Sequence, residues 1–223
     1  MTRDSGALTW QVLKDDAARS QWGGPRPKDT LVIERMGEYE YLRVPRQVAN
    51  AIQRDPSLRN ARFNSRGNLF EQLDCTSRSV AKSYCLQLLQ KREYARQELL
   101  SKLADSGYSK DVRNDVVTEL ERANLVSDMR FAEVFVRSKI FAGWGLRRIE
   151  RELVRRGVSL DELEGWPHAF VDEDGELERA VDVARRKHVR PPNEYAKLVR
   201  FLVGRGFAQR VAMDAARTVL GDA

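Results

Sequence analysis

DMRFAEVFVRSKIFAGWGLRRIERELVRRGVS, residues Asp128–Ser159, decides how the rest of the chain is read. It holds two helical patterns broken by Gly143-Trp144-Gly145. The first bears Phe131, Val134 and Phe135, with Phe141 a turn and a half further on, and Asp128 is placed to cap the start. In the second, Leu146, Ile149 and Leu153 form the apolar stripe, and Gly157 suits the left-handed position that ends a helix. The ending Leu153-Val154-Arg155-Arg156-Gly157-Val158-Ser159 has two counterparts. Leu103-Ala104-Asp105-Ser106-Gly107-Tyr108-Ser109 stands fifty residues earlier, and Leu202-Val203-Gly204-Arg205-Gly206-Phe207-Ala208 forty-nine residues later. A self-similar period of this size marks a repeat architecture.

The flanking segments follow the same order. Upstream, Val80, Ala81, Tyr84, Cys85, Leu88 and Leu89 form one helical stripe, and Leu99, Leu100 and Leu103 a second that ends at Gly107. Ser109 then caps a helix with Val112, Val116, Val117 and Leu120 inward, closed by Asn124. In the central segment Ser159 and Glu162 read as an S-x-x-E capping box for a short third helix, stopped by Pro167. Downstream, Leu177, Ala180, Val181 and Ala184 are expected inward. Pro191-Pro192 separates them from a helix with Leu198, Phe201 and Leu202 that ends at Gly206, and Val211, Ala215 and Val219 complete the last helix. Val112, Val116 and Leu120 sit 5, 9 and 13 positions beyond Gly107, as Val211, Ala215 and Val219 do beyond Gly206. The expected fold is mainly α: three tandem three-helix repeats over 77–126, 127–174 and 175–223, forming an elongated, curved body.

Residues 1–76 read differently, as a small α+β segment. Leu8–Ser20 has a loose helical pattern from Leu8, Val12 and Leu13. Gly23-Gly24-Pro25-Arg26-Pro27 excludes regular structure. A hairpin is expected at about 30–44, with Leu31-Val32-Ile33 and Tyr39-Glu40-Tyr41-Leu42 flanking Gly37, and with Tyr39 and Tyr41 on one face. Pro45 opens a short helix bearing Val48 and Ile52 that Pro56 closes, and Leu69, Phe70 and Leu73 suggest another helical turn.

Composition narrows the function. The 223 residues are 42% hydrophobic and 32% charged, with a formal charge of +6, which describes a folded, helix-leaning protein. No apolar run reaches membrane-span length, and the amino terminus shows no export signal, so a cytoplasmic protein is expected. Cys75 and Cys85 are too few for a disulfide framework, and Cys85 lies on an apolar stripe as a core thiol. With His168 and His188 they offer no metal-ligand or nucleophile–base spacing. His168, after Pro167 in a loop, is expected at the surface. Gly143-Trp144-Gly145 follows a helix and lacks a third glycine, so it is no dinucleotide fingerprint. Neither catalysis nor a cofactor nor a metal is expected.

The string Asp128-Met129-Arg130-Phe131-Ala132-Glu133-Val134-Phe135-Val136-Arg137-Ser138 resembles the RecX family, as do Tyr84-Cys85-Leu86-Gln87-Leu88-Leu89, Arg92-Glu93, Glu98-Leu99, Lys102-Leu103, Arg148-Ile149 through Leu153, and Arg200-Phe201-Leu202-Val203-Gly204-Arg205-Gly206-Phe207. The resemblance runs from about Ser77 to Leu220. It implies a three-repeat helical protein that binds in the groove of the RecA filament on single-stranded DNA. By the same resemblance it would suppress the filament's ATPase, strand-exchange and co-protease activities, and so modulate recombination and the SOS response. Two positions depart from the family's pattern: Ala95 stands where a capping Ser or Thr is frequent, and Asn124 where Gly is frequent.

What the residues themselves offer a partner is charge. Between Arg130 and Arg156 there are eight basic residues against three acidic ones, whereas Asp161–Glu176 holds seven acids and no Lys or Arg. Arg147, Arg151 and Arg155 recur every four residues opposite Leu146, Ile149 and Leu153, with Arg148 beside them and Arg137 and Lys139 on the preceding helix. Trp144 is either a plug between helices or an exposed anchor. These seven residues are the candidate partner-binding set, and Glu152 with Arg156 reads as a surface ion pair. The partner that the resemblance implies is the RecA filament on single-stranded DNA; weak direct DNA contact, no membrane and a monomeric chain are expected beside it. The alternative is a direct DNA-binding protein of helix-turn-helix-like units, and two solvated faces of opposite charge remain the plain explanation of the same pattern.

Overall fold

The computed structural model describes residues 7–13, 28–171 and 174–221, and the expected irregular stretch at Gly23–Pro27 lies outside them. Among the described residues there are ten α-helices and four strands, and the chain forms two compact units. One comprises residues up to Arg92 and Leu99–Val126; the other comprises Glu93–Glu98 and the chain from Ser127 onward.

The first unit opens with β1 (Leu8–Leu13), β2 (Lys28–Arg35) and β3 (Glu38–Pro45). The helical pattern read over Leu8–Leu13 is therefore a strand; the rest of Leu8–Ser20 lies outside the described residues. Leu8 and Val12 share a side in either conformation, because four is a multiple of the strand period as well as close to a helical turn. Trp10 separates the two readings: it is buried between exposed or half-buried neighbours, with Cα opposite that of Ile33. Met36 and Gly37 turn the β2–β3 hairpin with φ of 50° and 86°, the two positive values of a type I′ turn. Tyr39 and Tyr41 are both exposed on β3.

Helices α1 (Arg46–Arg54) and α2 (Pro56–Arg59) follow, then β4 (Arg62–Phe63), which completes an antiparallel sheet of order β3-β2-β1-β4. Val48, Ala49 and Ile52 are buried in α1, while Pro56 opens α2 behind the Asp55 cap. Trp10 stacks edge-on against Phe63, with centroids 4.6 Å apart, and donates from Nε1 to the Leu58 carbonyl.

Helix α3 (Arg66–Leu89) is capped by Ser65 and runs unbroken across residues 76 and 77. α4 (Arg96–Asp105) and α5 (Lys110–Arg122) complete the first helical module. Gly107 takes φ 89°, and the Tyr108 N–H closes onto the Leu103 carbonyl at 3.1 Å, as in a Schellman ending. Asn124 ends α5 at φ 55°, doing what glycine would do there. Cys85 is fully buried, and burial pushes its thiol up to about 11, which removes it as a nucleophile.

The second unit holds α6 (Asp128–Phe141), α7 (Leu146–Arg155), α8 (Asp174–Arg185), α9 (Glu194–Arg205) and α10 (Gln209–Gly221). Ser127, not Asp128, caps α6, accepting from the Arg130 N–H at 3.3 Å. Phe131, Ala132, Phe135 and Val136 form its buried stripe and pack with Ile149, Leu153, Val158, Leu163 and Val171. Val134 and Phe141 do not face inward; they are 55% and 95% exposed. Val134 lies one position off the stripe, and Phe141 is six past Phe135, about 240° round at 3.6 residues per turn.

The expected third helix after Ser159 reduces to a 3-10 turn, Leu160–Glu162, in which Ser159 makes no side-chain cap. Gly165 at φ 75° and Pro167, which has no N–H to donate, turn the chain instead. In α8, Ala180, Val181 and Ala184 are buried, but Leu177 is exposed. In α10 the buried residues are Ala212, Ala215 and Ala216, with Val211 and Val219 half-buried beside them.

Two glycines join α7 to the last three helices. A Cβ on Gly145 would collide with the Phe207 nitrogen and the Gly206 carbonyl, and one on Gly206, itself at φ 97°, would collide with Arg148. This close approach lets Gly145 N–H donate to the Arg205 carbonyl (3.0 Å) and Arg147 N–H to the Gly206 carbonyl (3.1 Å). Leu146 N–H donates to Glu176 at 3.1 Å. The first turn of α7 thus finds acceptors that it cannot supply itself.

Candidate functional site

The basic set on α6 and α7 divides into three groups. The first is centred on Trp144, which is half-buried against the core while the Phe135 ring meets it edge-on at 6.4 Å. The Arg148 guanidinium lies 3.8 Å from its ring centroid and Lys139 Nζ lies 5.0 Å away. Trp144 is thus both plug and platform: one part fills the core and the ring holds two cations by cation–π attraction. Lys139, Trp144 and Arg148 are the candidate residues that the fold brings together.

The second group is the stripe Arg147, Arg151 and Arg155 along the exposed side of α7. Ile149 and Leu153 are buried on the opposite side, so burial of that face fixes the direction of the stripe. Arg147 and Arg151 have no side-chain partner among the described residues. Arg155 is different: its Nε and Nη2 reach Glu152 at 2.8 and 2.6 Å, a two-point pair that occupies the guanidinium fork. That hydrogen bond is the main reason the Glu152 carboxyl is held down at about 2, and the pair raises Arg155 in turn. Arg137 stands apart, exposed on α6 and without a side-chain partner among the described residues.

The third group has no forerunner in the candidate set. Arg156 is only 23% exposed, pairs with Glu152 at 3.0 Å and with Glu98, and lies 5.1 Å from the Phe135 centroid. Glu152 with Arg156 is thus no plain surface pair but part of a half-buried network that reaches the first turn of α4. There Asp128 accepts the Arg96 N–H at 2.7 Å and Glu98 accepts the Ala95 N–H at 3.3 Å. Together they replace the cap that Ala95 cannot provide. Arg156 and Glu98 are 58 positions apart, too far for any helical spacing to signal the pair. Gly157, at φ 80°, presses on Gln97 so closely that a Cβ would overlap it.

The surface that remains available is a row of guanidiniums on the exposed side of α7, next to a cation-loaded indole. It can form two-point hydrogen bonds to carboxylates or phosphates. From the acidic segment Glu176 caps α7, while Asp161, Glu162 and Glu164 are exposed around the 3-10 turn. His168 is exposed.

Comparison with known proteins follows the same geometry. Family models described as "RecX, second three-helix domain" and "RecX, first three-helix domain" match residues 127–164 and 81–120. The regulatory protein RecX of Chromohalobacter salexigens is 38% identical over 136 residues, covering 59% of this chain and 88% of that one. The regulatory protein RecX of Mycobacterium sp. (strain KMS) is 38% identical over 144 residues, covering 60% and 78%. Among solved structures, RecX from Lactobacillus salivarius matches with a TM-score of 0.55 at 20% identity, covering 65% of this chain and 97% of that one. A second regulatory protein RecX matches with a TM-score of 0.60 at 18% identity, covering 87% and 95%. At those identities the structural matches speak for the fold alone, and the sequence relatives carry the kinship: the chain belongs to the RecX family of regulatory proteins.

Proposed function

We propose that this protein is a non-enzymatic regulator of the RecA filament on single-stranded DNA. It acts as a monomer in the cytoplasm and lowers the filament's ATPase, strand-exchange and co-protease activities, and through them recombination and the SOS response. The family supplies RecA as the partner. The observation that carries the residue assignment is the pair Arg147 and Arg151, exposed and without a side-chain partner among the described residues, beside the Lys139–Trp144–Arg148 cluster. An arginine already engaged with a carboxylate must lose that bond before binding, whereas Arg147 and Arg151 lose only water. Arg155, spent on Glu152, serves the helix first.

Co-sedimentation with RecA filaments on single-stranded DNA tests the reading. The parent chain is expected in the pellet, and Arg147→Glu/Arg151→Glu in the supernatant with its helical circular dichroism unchanged. Equal pelleting of both chains would place the contact elsewhere, and a parent chain that stays in the supernatant would remove the filament as partner.

A further inference from the structure

Phe141 has no part in the surface described above, yet it is 95% exposed at the last position of α6. A single exposed apolar residue is ordinary; its surroundings are not. It borders a groove of about 330 Å³ formed by the end of α6 with α8 and α9. Phe141, Val183 and Phe201 give it apolar surface, Arg186, Lys187 and Arg205 give it charge, and no carboxylate lines it among the described residues. Lys187 and Arg205 are fixed over the Phe201 ring at 5.3 and 5.2 Å from its centroid, and Arg205 also donates from Nη1 to the Ala142 carbonyl at 3.2 Å. Arg186 is exposed, with no side-chain partner among the described residues. Gly143 belongs to the same construction: a Cβ there would crowd Val183 at 2.9 Å, so the glycine lets α6 end close against α8.

We propose that this groove binds single-stranded nucleic acid, with an unstacked base lying on the Phe141 ring and neighbouring phosphates held by Arg186, Lys187 and Arg205. Three cations without an acid select an anion. The freely exposed aromatic ring selects a ligand with a flat face to stack, which every base of a single strand offers and a duplex hides. An acidic polypeptide would meet the same charges, but its carboxylates offer no flat face to stack on the outward Phe141 ring. The site belongs to the second unit and does not depend on the filament reading, so either can fail without the other.

The test is fluorescence anisotropy of a labelled oligothymidylate with the full chain at low salt, in the absence of RecA. The expected results are measurable binding, about tenfold weaker binding for Phe141→Ala, and retained binding for Phe141→Trp, with the new indole quenched by the bound bases. Arg186→Glu/Lys187→Glu should lower affinity and reduce the logarithmic salt slope by about 1.4, the value for two phosphates on a single strand. Arg54→Glu/Arg59→Glu, the same charge change in the first unit, should leave binding as it was. No binding by the parent chain would overturn the proposal. Equal binding by Phe141→Ala, with polyglutamate displacing the oligonucleotide charge for charge, would overturn it too and mark the groove as a surface for acidic polypeptides.

Discussion

Asp128 accepts a hydrogen bond from the Arg96 N–H, 32 positions away, and so caps a helix other than the one it begins. The distance along the chain hid this role: in the sequence Asp128 stands where an N-cap belongs, and Ser127 beside it takes that task instead. Asp128→Ala should therefore destabilise the fold by about 1 kcal/mol in urea denaturation, with Asp128→Asn keeping most of the loss back. An unchanged midpoint for Asp128→Ala would show that the cap is idle. Glu152 gives a second prediction at this scale. Its carboxyl is depressed from 4.5 to about 2, chiefly by the hydrogen bond from Arg155, so the stability it contributes is fully present above about pH 4.5 and is lost as pH falls toward 2. Melting temperature against pH should fall across that window in the parent and more shallowly in Glu152→Gln. Parallel curves would detach Glu152 from acid stability. Arg147 and Arg151 were legible because four-residue spacing opposite an apolar stripe is a local signal, whereas Glu98 and Arg156 meet only through the fold.

At the scale of elements, periodic signals read truly where only one period fitted. The helical stripes of α3, α5, α6 and α7 are long enough to exclude a strand, and left-handed endings at Gly107, Asn124, Gly157 and Gly206 stand where the residue types place them. β1 departs from its helical pattern because its apolar residues at Leu8 and Val12 satisfy both periods, and the turn after Ser159 departs because a capping box needs a helix to cap, which Gly165 and Pro167 prevent. Phe141 shows why periodicity matters more than polarity: an apolar residue in a helix belongs to the core only if its angle agrees. The joint between α7 and α9 was invisible, since nothing in Gly145 or Gly206 announces that their backbones touch. It is nonetheless steep in energy. Gly145→Ala should cost about 3 kcal/mol, because a Cβ must displace the Phe207 backbone and break the Gly145–Arg205 hydrogen bond. Gly204→Ala, whose Cβ meets nothing, is the control, and stability like that of the parent in Gly145→Ala would contradict the joint.

For the whole molecule, the chain combines an antiparallel sheet unit with helical modules whose first two match the family's domain models. The D-x-R-F-A-E string that carries the family likeness sits at two helix starts: its Asp128 caps α4, its Arg130 N–H donates to Ser127 at the start of α6, and its Phe131 stacks on Phe135 at 5.7 Å in the core. The basic face above it carries few constraints of its own, which is why its function must be measured. The most direct measurement is RecA's single-stranded-DNA-dependent ATPase titrated with this protein. Inhibition that saturates, and that is lost in Arg147→Glu/Arg151→Glu at equal helicity, is the predicted result; an ATPase rate unchanged at saturating protein would contradict it.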